Sequence, residues 1–178
     1  MNLQVATLAG GCFWCLEAVF ERVRGVQSVE SGYANGHVQS PSYEQVCQGD
    51  TGHAEVVRVT FDADIISFAQ VLEIFFTIHD PTTLNRQGND VGPQYRSGIY
   101  FHTPEQHAQA REAILELERR KAFDDPIVTE IEPVRSYWPA ERYHQHYFAQ
   151  HPEQGYCAFV VAPKVEKFRK TFKEFYVG

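Results

Sequence analysis

The sequence predicts an α+β fold: a ferredoxin-like split βαβ core, arranged as a two-layer sandwich, with a long and mostly irregular C-terminal segment. Two observations carry this expectation. Hydrophobic periodicity switches between two and 3.6 in the order β-α-β, β-α-β, then α-β. Helix start signals mark the second and third long helices. Helices should therefore gather on one face of a mixed or antiparallel sheet.

Leu3, Val5 and Thr7 alternate with Gln4 and Ala6 as a short strand. Gly10 and Gly11 then turn the chain into a helix whose Leu16, Val19, Phe20 and Val23 fall at i, i+3, i+4 and i+7. Gly25 ends that helix, and residues 26–33 read as a second strand. Asn35-Gly36 can take left-handed conformations in the turn that follows. Residues 37–53 are polar and punctuated, with a short helix over 42–47. Residues 54–61 form a third strand, with Glu55, Val57, Val59 and Phe61 on one side.

Ser67 and Gln70 make a capping box for a helix to Ile78, with Phe68, Val71, Leu72 and Phe75 inward. Residues 79–96 read as a long loop, and such loops in compact domains are usually functional. Residues 99–102 are a fourth strand. Thr103-Pro104-Glu105-Gln106 starts a helix to about residue 121, and 127–131 is a fifth strand. The aromatic segment of Tyr137, Trp138, Tyr143, Tyr147 and Phe148 reads as partly helical. Residues 151–156 are a loop, and Val165, Phe168 and Phe172 mark a basic terminal helix.

The 178 residues read as one domain, long enough to bury a sizeable core. Sixteen Lys and Arg against twenty-three Asp and Glu give a net charge of −7, which argues against nucleic acid or an anionic membrane as partner. Met1-Asn2-Leu3-Gln4 has neither the basic region nor the apolar run of a signal peptide, and no stretch reaches transmembrane length. The expected compartment is the cytoplasm, where four cysteines point to thiol chemistry or metal rather than structural disulfides. Met1 is the single methionine; composition accounts for that, as does exposure to oxidants.

Cys12 should stand at or just before the first helical turn, where unpaired N–H groups favour thiolate over thiol. With Phe13 and Trp14 beside it, the reading is a nucleophile at the floor of an aromatic pocket. Cys12 and Cys15 also have the spacing of half a zinc site, or of a thioredoxin-like redox pair. Glu55 shares the apolar side of its strand. Facing the core, it must be paired or protonated; at the strand's end it can also bend to solvent. Asp90 fits a turn, Tyr43 and Tyr95 fit core or surface, and His144 and His146 fit satisfied imidazoles. Cys157 falls in a loop that can carry a thiol to a distant sulfur, whereas Cys47 packs.

Seven stretches together resemble the A-type peptide-methionine sulfoxide reductases: Gly11-Cys12-Phe13-Trp14-Cys15, Ser31-Gly32-Tyr33-Ala34, Tyr43-Glu44-Gln45-Val46-Cys47, Gly52-His53-Ala54-Glu55-Val56, His79-Asp80-Pro81-Thr82-Thr83, Arg86-Gln87-Gly88-Asn89-Asp90 and Gln94-Tyr95-Arg96-Ser97. Tyr143-His144-Gln145 and Tyr156-Cys157 extend the resemblance to nearly the whole chain. It implies thiol-dependent reduction of the S epimer of methionine sulfoxide, free or in proteins, on a ferredoxin-like core. By resemblance, Cys12 is the nucleophile that becomes a sulfenic acid and then a disulfide. Phe13 and Trp14 hold the substrate's methyl group. Glu55 protonates the sulfoxide oxygen, Tyr43 and Tyr95 donate hydroxyls to it, and Asp90 is a hydrogen-bonding acid of the site. Cys157 resolves the intermediate, with Cys15 as the competing thiol; Cys157 is favoured because Cys12 and Cys15 within one helical turn could bond only by unwinding. No bound cofactor or metal is implied. Thioredoxin is the implied external reductant, replaced in vitro by dithiothreitol. Three departures from the family pattern stand out: Pro93 removes a backbone donor, Asn35 replaces glycine, and the glycine-rich tail with a further cysteine is missing.

Overall fold

The computed structural model describes residues 1–178. In chain order the first elements are β1 (Leu3–Gly10), α1 (Phe13–Phe20), β2 (Val26–Ala34), α2 (Tyr43–Cys47) and β3 (Ala54–Asp62). Then come α3 (Phe68–Ile78), β4 (Arg86–Gln87), β5 (Asp90–Val91), β6 (Ser97–Phe101) and α4 (Pro104–Arg119). The last third contributes β7 (Glu130–Pro133), β8 (Tyr137–Pro139), α5 (Tyr147–Gln150) and α6 (Ala162–Thr171). No helix is long and apolar enough to cross a membrane.

The architecture is α+β. Six strands form one sheet in the order β7-β6-β1-β3-β2-β8. The four inner strands are antiparallel throughout, with Leu8 opposite Val57 on one side and Ile99 on the other. Tyr33 of β2 stands opposite Glu55 of β3, so both side chains point to the same face. That face is the one the helices cover. Leu8, Val57, Val59 and Phe61 join Leu16, Val19 and Phe20 of α1, Leu72 and Phe75 of α3, and Phe168 of α6 in a core of 30 buried residues. Each fully buried Phe or Leu contributes about 1.5–3 kcal/mol by leaving water. The opposite face carries a smaller cluster of Ala9, Ala34, Ala54, Val56 and Tyr100.

The helix signals act as read. Ser67 accepts from the N–H of Gln70 at 3.1 Å, closing the box at α3, and Ser42 and Gln45 close another at α2. Thr103 caps α4 in the same way, while the Gln106 side chain donates to the carbonyl of Val5 and so ties α4 to β1.

Three expectations need correction. The segment 79–96 is not simply a loop: Arg86–Gln87 and Asp90–Val91 pair as a two-stranded hairpin around Gly88-Asn89. The aromatic segment is partly helical as read, with Tyr143 in a 3-10 turn and Tyr147 and Phe148 in α5, but Tyr137–Pro139 is a strand paired with β2, and the fifth strand lies later, at Glu130–Pro133, parallel to β6. Short edge strands of three or four residues are too brief for periodicity to reveal. Cys157 is not in a loop either. It begins a π-helical stretch, Cys157–Val161, which runs unbroken into α6 because Tyr156 and Ala162 both keep right-handed helical angles.

Candidate active site

The site grows from the turn between β1 and α1. Gly11 has φ +90°, and a Cβ there would lie 2.6 Å from Cγ of Gln87, so only glycine fits. Cys12 is the N-cap of α1, with extended angles of −61° and 128° and no side-chain cap. Its carbonyl accepts the N–H of Cys15 at 3.1 Å.

The cap comes from another strand. Glu55, 1% exposed near the start of β3, accepts the main-chain N–H of Phe13 through Oε1 at 3.1 Å. Its Oε2 is buried and has no partner. Burial pushes the Glu55 carboxyl up to about 8, with the Phe13 N–H opposing and Asp90 adding to the rise. The acid is therefore neutral at pH 7, one of the two states its core-facing position allows.

Cys12 departs from expectation. Burial, reinforced by Glu55, Cys15 and Asp90, raises its thiol well above the ordinary value, and the Trp14 N–H opposes this only in part. The partial charge of an eight-residue helix does not outweigh desolvation, so the unliganded site holds a thiol and not a thiolate.

Aromatic rings pack around the cysteine's two neighbours. Phe13 is fully buried between Tyr33, Tyr43 and His144, with centroids 5.7, 6.5 and 5.2 Å away. Trp14 is half-buried and stacks on Tyr147 at 3.8 Å, with Tyr156 edge-on at 5.8 Å. Its indole N–H donates to Nδ1 of His144 at 3.1 Å, which leaves the imidazole proton on Nε2. Burial lowers the His144 pKa in keeping with that neutral form. His146, by contrast, is exposed and pairs with Glu21.

Tyr43 opens α2, and its N–H donates to Glu141 at 2.8 Å; the other oxygen of the same carboxylate accepts from Tyr33, also at 2.8 Å. Burial, then Glu55, raises the Tyr43 and Tyr95 phenols, so both remain hydrogen-bond donors. Asp90, on β5, accepts the Tyr156 hydroxyl at 2.6 Å. Cys12, Glu55, Asp90, Tyr43 and Tyr95 thus share one electrostatic neighbourhood, with Tyr156 and Glu141 as members that sequence reasoning missed. Glu141 reaches partners about a hundred residues away, which no local pattern signals.

The remaining cysteines fall differently from expectation. Cys47 is exposed beside Tyr43 and does not pack. Cys157 is sealed in the core, its N–H bonded to the Gln154 side chain at 3.1 Å. Cys15 acts on the Cys12 thiol directly. The two do not share a helical turn, because Cys12 is extended. The bond between their backbones closes an i to i+3 turn, which places the Cα atoms within about 7 Å, near the upper end of disulfide range.

Two of the departures from the family pattern also find their reasons. Pro93 starts the 3-10 turn carrying Tyr95, a position where a backbone N–H has no helical partner to lose. Asn35 takes φ +63°, and its side chain bonds to Pro133, Arg135 and Ser136, fixing the approach to β8. A concavity of about 1170 Å³ between α3, α4 and α6 includes neither Cys12 nor Glu55.

Comparison with known proteins agrees with this geometry. The family model for peptide methionine sulfoxide reductase matches residues 4–176. The chain is 61% identical over 172 residues to the peptide methionine sulfoxide reductase MsrA of Polynucleobacter asymbioticus, covering 97% of this chain and 90% of that protein. Its fold superposes on reduced Mxr1 from Saccharomyces cerevisiae with a TM-score of 0.79 and 36% identity, over 88% of this chain and 90% of that one. Mxr1 in complex with Trx2 aligns with a TM-score of 0.56 and 25% identity, over 82% and 85%. A match this long, carried by identity this high, leaves one assignment: the chain belongs to the peptide methionine sulfoxide reductase family.

Proposed function

We propose that this member reduces the S epimer of methionine sulfoxide, free or within proteins, and so repairs oxidised proteins. Cys12 takes the oxygen and Glu55 supplies the proton. The observation that carries this reading is the free oxygen of Glu55: buried, on a neutral acid whose other oxygen is bonded to the residue after the nucleophile. A sulfoxide oxygen bound there would give Oε2 the partner it lacks. Trp14, with Phe13 behind it, offers the apolar wall for the methyl group. Tyr43 and Tyr95 supply phenol donors and Asp90 a further polar partner. The strand order β6-β1-β3-β2 supports the ferredoxin-like split βαβ arrangement, and a single catalytic domain spans the chain.

The chemistry balances without a bound cofactor. Glu55 protonates the sulfoxide oxygen, which makes the sulfur electrophilic. Cys12 attacks as its own proton passes to the Glu55 carboxylate. The methionine S–O bond breaks, an S–O bond forms on Cys12, and methionine leaves with Cys12 as sulfenic acid. A second thiol then displaces water to form a disulfide. Cys15 is the nearer candidate; the reasons for favouring Cys157, a mobile loop and a shared helical turn at Cys12 and Cys15, both fail against the geometry. An external dithiol, thioredoxin in the cytoplasm, returns the disulfide to thiols; the complex of Mxr1 with Trx2 supports that partner.

The test is incubation of separated sulfoxide epimers with the protein and dithiothreitol, followed by methionine release. Turnover of the S epimer alone is expected, and no methionine from either epimer would overturn the reading.

A further inference from the structure

Tyr156 stands between Asp90 and Cys15 and takes no part in moving oxygen from methionine to Cys12. Its hydroxyl donates to Asp90 Oδ2 at 2.6 Å and lies 4.0 Å from the Cys15 sulfur. Edge-on contact with Trp14 holds the ring in place, with centroids 5.8 Å apart. Because the O–H is already committed to a carboxylate, the phenol oxygen meets the thiol with its lone pairs. Cys15 itself is 1% exposed, so its proton has no direct path to water.

We propose that Tyr156 and Asp90 together accept the proton of Cys15 and thereby activate it as the resolving thiol. This rests on the reading of Cys15 as resolver. As the Cys15 S–H bond breaks, its proton passes to the Tyr156 oxygen while the phenol's own proton moves to Asp90. The freed electron pair attacks the Cys12 sulfur, the S–S bond forms, and the S–O bond of the sulfenic acid breaks. Glu55 gives its proton to the departing hydroxide, which leaves as water. Cys15 is oxidised and the Cys12 sulfenic acid is reduced to disulfide; exchange between the two acids restores the starting protonation.

Other charges frame the same sulfur. Burial opposes its ionised form most, with Asp90 of β5 and Glu55 of β3 adding to that, whereas Lys164 of α6 favours it, and Cys12 faces it from the N-cap of α1. Tyr156 is the hydrogen-bonded partner among them.

The experiment is a first turnover in Tyr156→Phe, which keeps the ring against Trp14, with dimedone trapping of Cys12 and mass mapping of the disulfide. Disulfide formation should slow roughly 10²-fold at pH 7. Sulfenic acid then accumulates in the variant. The solvent deuterium isotope effect on disulfide formation, which the moving protons give the parent protein, should fall in the variant. An isotope effect unchanged in the variant, or no accumulation at pH 7, overturns the role of Tyr156 even where a Cys12–Cys15 bond forms in the parent protein. A Cys12–Cys157 bond in the parent overturns the resolver reading and the proposal with it, while leaving sulfoxide reduction intact.

Discussion

The main-chain N–H of Phe13 donates to Glu55 at 3.1 Å, so the nucleophile's helix is capped by a carboxyl from a strand 42 residues further on. One side chain thereby fixes the turn and presents an acid to the substrate. Glu55→Gln keeps an acceptor for that N–H but loses the transferable proton. Methionine formation in the first turnover should fall by roughly 10²–10⁴-fold, with an unchanged circular dichroism spectrum. An undiminished rate would remove Glu55 from the chemistry.

Stability should depend on pH in an unusual direction. Burial lifts Glu55 to about 8 and Glu17 to about 7, whereas unfolded glutamates titrate near ~4.3. The folded state therefore holds more protons than the unfolded one between those values. Their contribution is complete at the acid end of this window and is lost as pH rises through 7 and 8. A tenfold difference in proton affinity between folded and unfolded chain is worth about 1.4 kcal/mol, so the loss is on the order of several kcal/mol. Thermal melts from pH 5 to 9 should show Tm falling, and Glu55→Gln and Glu17→Gln should each flatten part of the slope. A flat profile in the parent protein would contradict both assignments.

The same protonation governs rate. Single-turnover sulfoxide reduction should decline as pH passes about 8, where Glu55 loses its proton. Stopped-flow or quenched sampling from pH 6 to 10 measures this. A rate that keeps climbing to pH 10 would mean that thiol ionisation at Cys12, and not acid supply, is limiting.

Glu141→Ala removes the shared acceptor of the Tyr33 hydroxyl and the Tyr43 N–H. The expected cost is about 2 kcal/mol in denaturant unfolding, with kcat/KM reduced about tenfold as Tyr43 loses its anchor. Tyr33→Phe removes only one of the two bonds and should lose about half the stability with little change in rate. Equal kinetic effects in the two variants would separate Glu141 from the placement of Tyr43.

Two glycines offer a paired control. Gly11→Ala forces a side chain into a left-handed angle and against Gln87, so it should cost more than about 1 kcal/mol and most of the activity. Gly155→Ala meets nothing within 4 Å and lies in helical backbone, so it should be neutral or stabilising by up to about 1 kcal/mol. Chemical denaturation of both variants distinguishes steric demand at Gly11 from a general sensitivity to added methyl groups.

How much of this was legible in the sequence follows the range of the interactions. The inner strands and α1, α3 and α4 rest on local periodicity and caps, and they stand where residues such as Ser67, Gln70 and Thr103 signal them. The facing of Glu55 was legible for the same reason, since alternation with Val57, Val59 and Phe61 fixes its side of the sheet. The edge strands β7 and β8 were not, because their pairing with β6 and β2 comes from contacts far along the chain. The Cys12 protonation state was misread because a helix terminus is local and visible, whereas desolvation by distant segments is not. Tyr156 carried no signal beyond its place next to a cysteine.

The provenance of the two outermost strands bears on biosynthesis. Residues up to 101 can assemble four strands, yet both flanks of that partial sheet keep unpaired main-chain N–H and C=O groups until residues 130–139 emerge. Unprotected flanks recruit other chains. A nascent or truncated polypeptide ending near residue 120 would therefore be a sticky species, and the tail acts as the protein's own guard against self-association.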